Sequence, residues 1–146
     1  MRIFITGATG FIGVALTKLL VKLGYQVTVL LRNDKKRPLL PESVDVIKGD
    51  LTIFQQNDLI LPPFDIIIHL AGAIFASSRK EYFKLNYFAT VHLVNCIKRQ
   101  EWTPNKFIFT SSLAAAGPSI RTVAYGSVSP FSLEIVPTTV AVRFSS

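Results

Sequence analysis

The chain has one cysteine, one methionine, one tryptophan and two histidines among its 146 residues. A single Cys96 excludes an internal disulfide framework and suits a reducing compartment, which points to the cytoplasm. No apolar run approaches the ~20 residues that a membrane span needs. The richest run, "DIIIHLAGAIFA", is short and reads as a buried strand with its following loop. The opening "MRIFITGATG" is broken by glycines and reads as a strand and turn, not as a signal peptide. No metal-ligand cluster is present. Acidic residues are scarce, 9 against 16 basic ones, for a formal net charge of +7. The cations are scattered except for Lys35, Lys36 and Arg37, and no basic helix interleaved with aromatics occurs. The charge therefore reads as a solvated basic surface, with neither nucleic acid nor a membrane expected as partner. One more absence matters later: no lysine follows Lys106.

What is present is an ordered alternation. "RIFIT" is a β-branched and aromatic run that ends in a glycine turn, so a strand. "GFIGVALTKLLVKLG" follows, with Ile12, Leu16, Leu19, Leu20 and Leu23 at helical spacing and Gly24 as the stop. "YQVTVLLR" and "VDVIKGD" are further strands, and "LTIFQQNDLILPP" predicts a short irregular helix ended by Pro62 and Pro63. "FDIIIHLAG" is apolar throughout, as in a strand buried on both faces. A long helical pattern runs from Arg79 to Gln100 through Tyr82, Leu85, Ala89, Leu93 and Ile97. "NKFIFTSS" and "TTVAVRF" are the fifth and sixth strands. With no linker and no internal repeat, this predicts a single α/β domain over residues 1–146. Its core is a doubly wound parallel sheet of about six strands, a Rossmann fold.

The first strand runs into "TGATGFIG", where Gly7, Gly10 and Gly13 fall at three-residue spacing. The first permits a tight turn, the second lets backbone approach a phosphate, and the third lets the helix pack close on the sheet. The helix then points free N–H groups and its positive dipole end at a pyrophosphate. A glycine trio alone is a weak signal. This one follows a strand and opens an amphipathic helix, which is the confirming context. Gly7, Thr9, Gly10, Phe11, Ile12 and Gly13 are the candidate dinucleotide contacts there.

Several separate motifs now coincide: "TGATGFIG", "GDL" at residues 49–51, "HLAG" at 69–72, "LNYFATVHLVNC" around Asn86, and "FIFTSSLAAAG". Together they resemble the extended short-chain dehydrogenase/reductases, also called NAD-dependent epimerase/dehydratases. Within that group the chain is most similar to atypical reductases and epimerases related to dihydroflavonol reductase. The resemblance implies that Asp50 and Leu51 border the adenine. It puts Ala71 and Gly72 along the ribose and phosphates, and Thr110 and Ser111 near the nicotinamide. Asn86 would orient the helix beneath the site, and His69 reads as a satisfied structural residue at a strand end. At the end of the second strand, "VLLRN" offers Arg32 where a carboxylate would select NAD. Arg32 can grip a 2′-phosphate, and Lys35, Lys36 and Arg37 add positive potential, so NADP is favoured. Asp34, two residues on, leaves NAD open.

The family implies a serine, a tyrosine and, four residues after it, a lysine that lowers the tyrosine pKa. Ser112 matches the serine and Tyr125 resembles the tyrosine. Ser129 occupies the lysine position, and Pro130 interrupts a helix expected to form there. The chain ends at "VAVRFSS", where the sixth strand ends, so the family's C-terminal substrate domain is expected to be missing. The expectation is an NAD(P)-binding domain of a carbonyl reductase or sugar-nucleotide epimerase, impaired in catalysis as it stands, whose substrate stays unknown. The alternative is a non-catalytic NADP sensor or partner-binding module. An apolar face uncovered by the absent part would favour a homodimer.

Overall fold

The computed structural model describes residues 1–110, together with the strand backbones of 131–136 and 139–144. Five strands run parallel: β1 (Arg2–Thr6), β2 (Gln26–Leu31), β3 (Asp45–Lys48), β4 (Ile66–His69) and β5 (Lys106–Thr110). Two more follow, β6 (Phe131–Val136) and β7 (Thr139–Phe144). The sheet order is β3-β2-β1-β4-β5-β7-β6. The expected sixth strand is thus β7, but it lies antiparallel to β5 and carries β6 antiparallel on its outer edge. Residues 131–136, which follow the Pro130 where a disturbed helix was expected, form a strand. A strand that hairpins back needs no crossover helix, and only the antiparallel arrangement permits that.

Both faces of the sheet are covered. On one face Ile3, Ile5, Val27, Val29 and Ile68 pack with Leu16, Leu20 and Val21 of helix α1 (Phe11–Lys22). On the other, Phe4, Phe54, Phe64, Ile67 and Phe107 pack with Leu93, Cys96 and Ile97 of helix α3 (Ala89–Lys98). The Phe4 ring stacks on Phe64 at 5.1 Å and meets Phe54 edge-on at 6.3 Å. The doubly wound Rossmann fold anticipated from the strand pattern is the one observed.

Helix α1 is rotated relative to the expected stripe. Its buried residues are Gly13 and Thr17, flanked by half-buried Leu16, Leu20 and Val21, whereas Leu19 and Leu23 are exposed. The cause is Gly13: a β-carbon there would lie 2.2 Å from the Gly7 carbonyl oxygen and 2.7 Å from Ala8 Cα. The closest approach to the sheet is therefore at Gly13, and residues three, four, seven and eight positions on share its face. The helix ends in a Schellman cap. Gly24 (φ +82°) donates to Val21 and Tyr25 donates to Leu20, while Leu20 and Tyr25 share the same apolar cluster.

The long helical pattern forms in three parts. Helix α2 (Arg79–Phe83), capped by Ser78, leads into a π-turn (Lys84–Phe88) and then α3. The π-turn holds an extra residue per turn, so the apolar stripe shifts: Ala89, Leu93 and Ile97 are buried as expected, but Tyr82 and Leu85 are exposed. The irregular segment after β3 is a 3-10 turn (Leu51–Gln55) and then coil. Side chains satisfy its backbone. Gln100 accepts from Leu61 N and donates to Leu59 O, Trp102 donates to Leu61 O, and Arg99 donates to the carbonyls of Phe54 and Gln56.

Truncating Phe4 to Ala should cost about 3–5 kcal/mol, because it empties the centre of one buried layer. Leu19→Ala and Leu23→Ala should change stability by less than about 0.5 kcal/mol each, because both lie on the exposed side of α1. Urea unfolding of the three variants reads the difference, and a large loss at Leu23 would contradict the observed rotation.

Candidate functional site

The strand order reverses between β1 and β4, so a crevice opens at their carboxyl ends. Its wall is an unusually close approach of two turns. Gly7 has φ +78°, and a β-carbon on it would lie 2.6 Å from Ala71 N and 2.7 Å from Leu70 C. Only glycine fits there, on both conformation and space. Gly10 then caps α1 without a side chain, donates to Gly7 O and accepts from Val14 N. Among the described residues no side chain caps the first turn of α1, and no acidic residue lies in it, so its N–H groups face outward. Phe11 is 98% exposed and Ile12 58%, both on the open side, while Thr9 is half-buried in the turn. A helix N-terminus with a collar of glycine is a cradle for an anion.

The other strand ends bring the remaining candidates to the same edge. Thr110 closes β5, where its hydroxyl donates to His69 O at 3.2 Å. Ala71 and Gly72 follow β4, and the hydroxyl of Thr6 accepts from Ala71 N at 3.4 Å. Asn86, on the π-turn, holds the next residue from both sides. Its Oδ1 accepts from Ala73 N at 2.7 Å and its Nδ2 donates to Ala73 O at 3.0 Å. Asn86 therefore fastens the loop, a more direct task than orienting the helix. Ser111, Ser112 and Tyr125, with Ser129 and Pro130, lie outside the described residues.

At the far end of the crevice Arg32 is exposed just after β2. Its neighbours are differently committed. Asp34 pairs with Lys48 at 2.9 Å, and Asn33 accepts from Lys35 N. Arg37, expected to add to the phosphate field, is turned inward: it donates to the carbonyls of Leu40, Pro41, Glu42 and Val44. Asp50 accepts from Thr52 through both N and Oγ1, and those bonds, with Arg32 nearby, hold its carboxyl below the usual range. Its side chain is engaged with its own turn, and Leu51 is half-buried against the α3-side core.

His69 is 1% exposed, with Nδ1 2.6 Å from Thr6 Oγ1 and Nε2 2.9 Å from Thr90 Oγ1. Its ring stacks at 5.7 Å on Phe109. Both nitrogens are satisfied, as a structural histidine requires. The partner Thr90 was not legible as such in the sequence. The only hint was the spacing Asn86–Thr90, one helical turn. Burial pushes the His69 pKa down from 6.5 to about 4. The unfolded chain thus takes up this proton near pH 6.5 and the folded chain not until about pH 4. Stability from this residue is whole above pH 6.5 and is lost as pH falls toward 4. The loss should reach about 3 kcal/mol. Unfolding free energies compared from about pH 7.5 downward should show this fall in the wild type and lack it in His69→Gln.

Comparison with known proteins identifies the family. The NAD dependent epimerase/dehydratase family matches residues 3–134. A ceramide reductase of Caulobacter vibrioides is 32% identical over 121 residues, covering 82% of this chain and 37% of the relative. A putative dihydroflavonol 4-reductase of Synechocystis is 30% identical over 118 residues, covering 78% of this chain and 33% of the relative. Among solved structures, the human epimerase family protein SDR39U1 with NADPH superposes with a TM-score of 0.60 at 25% identity. It covers 82% of this chain and 39% of that one. The chain spans little more than a third of the length of these proteins. With its glycine turn, its switch-point crevice and a match over residues 3–134, the chain belongs to the NAD dependent epimerase/dehydratase family.

Proposed function

We propose that this chain is the NADP(H)-binding domain of a reductase or epimerase of its family. The observation that carries the reading is the approach of Gly7 to the Ala71 backbone beneath the uncapped N-terminus of α1. That collar fits a pyrophosphate held by Thr9, Gly10, Phe11, Ile12 and Gly13 through backbone N–H groups. When bound, a nicotinamide would supply hydride transfer. The protein's own part is to bind, orient and exclude water. Ala71 and Gly72 would flank the ribose and phosphates, and Thr110 and Ser111 the nicotinamide side. Asp50 would act through the backbone of its turn, since its carboxylate is engaged, and Leu51 would contact the adenine.

The preference for the phosphorylated cofactor rests on charge. Arg32 is exposed, whereas Asp34, two positions on in the chain and the carboxylate that would favour a free 2′-hydroxyl, is paired with Lys48. A guanidinium suits a phosphate bidentately. The related human SDR39U1 structure holds NADPH. Ser112 and Tyr125 would polarise and protonate the substrate oxygen, but Ser129 stands where the lysine that activates the tyrosine belongs. Turnover is therefore weak, and the substrate is a carbonyl compound or a sugar nucleotide. That lost lysine also favours a second reading, a non-catalytic NADP sensor. Buried, free Cys96 suits a cytoplasmic setting. The exposed aromatic row Phe83, Tyr87 and Phe88 supports self-association into a dimer.

Titration with NADPH and NADH, read by nicotinamide fluorescence, tests the reading. NADPH should bind more tightly. Arg32→Ala should weaken NADPH by about 10- to 100-fold and leave NADH nearly unchanged. Gly7→Ala should abolish both, because its methyl group would meet the Ala71 backbone. Equal affinity for both cofactors in the wild type would reject the NADP preference, and no binding of either would reject the reading.

A further inference from the structure

The buried polar chain around His69 admits only one arrangement of hydrogens. Thr90 Oγ1 donates to the Asn86 carbonyl at 2.6 Å, and that carbonyl can only accept. The single hydroxyl hydrogen of Thr90 is thereby spent. The contact of 2.9 Å between Thr90 Oγ1 and His69 Nε2 then requires the hydrogen on Nε2. The imidazole is buried among Thr6, Thr90, Phe107 and Phe109, and among the described residues no charged side chain bonds to it. It is neutral, so Nδ1 is an acceptor. The Thr6 hydroxyl must donate to it at 2.6 Å, leaving its own oxygen free to accept from Ala71 N–H at 3.4 Å.

The hydrogens then run one way. Ala71 N–H points to Thr6, Thr6 O–H to His69 Nδ1, His69 Nε2–H to Thr90, and Thr90 O–H to the Asn86 carbonyl. The Asn86 amide reaches back to both backbone groups of Ala73. The chain starts at Ala71, ends at Ala73 and encloses Gly72 between them. Gly72 itself has no room to spare: a β-carbon on it would lie 3.1 Å from Asn86 Oδ1. Beyond Ala73 the loop is tied again, where Ser77 donates through N and Oγ to Glu81.

We infer that His69, fixed as the Nε2–H tautomer, is a positioning residue that sets the backbone of residues 71–73 through Thr6 on one side and Thr90 and Asn86 on the other. The inference rests on the proposed dinucleotide site only for its consequence, the placement of that backbone against the ligand. The tautomer and the loop order stand without it. Thr90 joins the strand end to the π-turn, so it is the link whose loss should be felt at Ala73 and at the ligand together.

The experiment uses the full chain in three readouts. Imidazole ¹⁵N shifts of the cofactor-free wild type should show a protonated Nε2 and an unprotonated Nδ1 for His69. The opposite tautomer, or an averaged signal, would overturn the inference whether or not any cofactor binds. Amide hydrogen exchange at Ala73 should quicken in Thr90→Val and return to the wild-type rate in Thr90→Ser, which keeps the hydroxyl. NADPH affinity should follow the same pattern, weakened about tenfold in Thr90→Val and restored in Thr90→Ser. Unchanged exchange and affinity in a folded Thr90→Val would reject the positioning role. If Thr90→Val does not fold, the tautomer and a wild-type-like Thr90→Ser still decide. A wild type that shows the tautomer and the protected loop yet binds no NADPH would sink the cofactor reading alone.

Discussion

The close contact between the turn after β1 and the turn after β4 governs the rest of the molecule. At Gly7 no β-carbon fits against the Ala71 backbone, so the two turns meet as bare main chain. This brings β1 and β4 together at the point where strand order reverses. It also sets the start of α1, and the second tight approach, at Gly13, sets the rotation of that helix. From one pair of steric exclusions follow the crevice, the exposed α1 N-terminus and the side of α1 that faces water. The helix dipole is then directed at the crevice, with no side-chain cap and no acidic residue in its first turn among the described residues.

A second theme is that side chains stand in for regular structure at three irregular stretches among the described residues. Gln100, Trp102 and Arg99 serve the carbonyls and amides of the coil after β3, and Arg37 gathers four carbonyls before β3. Asn86 does the same for Ala73. These are the groups that a buried or half-buried loop must satisfy. The work has an electrostatic effect too. Of the cationic cluster after β2, Arg37 has its donors turned to the protein. The exposed Asp34–Lys48 pair, itself worth little in stability, engages the carboxylate that follows Arg32 two positions on in the chain. Net charge alone says nothing of which cation is left facing the crevice.

Much of this was legible in the sequence. Apolar and β-branched runs marked the five parallel strands, and the glycine spacing in its strand-to-helix context marked the candidate anion cradle. Periodicity was less trustworthy. Ile12, Leu16, Leu19, Leu20 and Leu23 do recur at helical spacing, yet the helix buries a neighbouring stripe. An apolar stripe broad enough to be read two ways is decided by where backbone can come closest. The pattern from Arg79 to Gln100 predicted one helix, but the π-turn shifts its phase, and a one-residue insertion leaves no mark in composition. Pro130 suggested a disturbed helix, where the next six residues form a strand instead.

The sequence by itself determined the layered α/β fold, the glycine turn and the family, because these rest on local rules: strand and helix periods, and positions where only glycine fits. It also determined that no lysine follows Tyr125, whatever the surrounding structure. Tertiary structure alone decided which polar side chains meet. Thr6, His69, Asn86 and Thr90 are separated by up to 84 positions in the chain (90 − 6), and Asp34 finds Lys48 only once β3 lies beside β2. Hydrogen-bond partners are chosen by distances of a few ångströms, and those distances exist only after the strands have paired and the helices have packed.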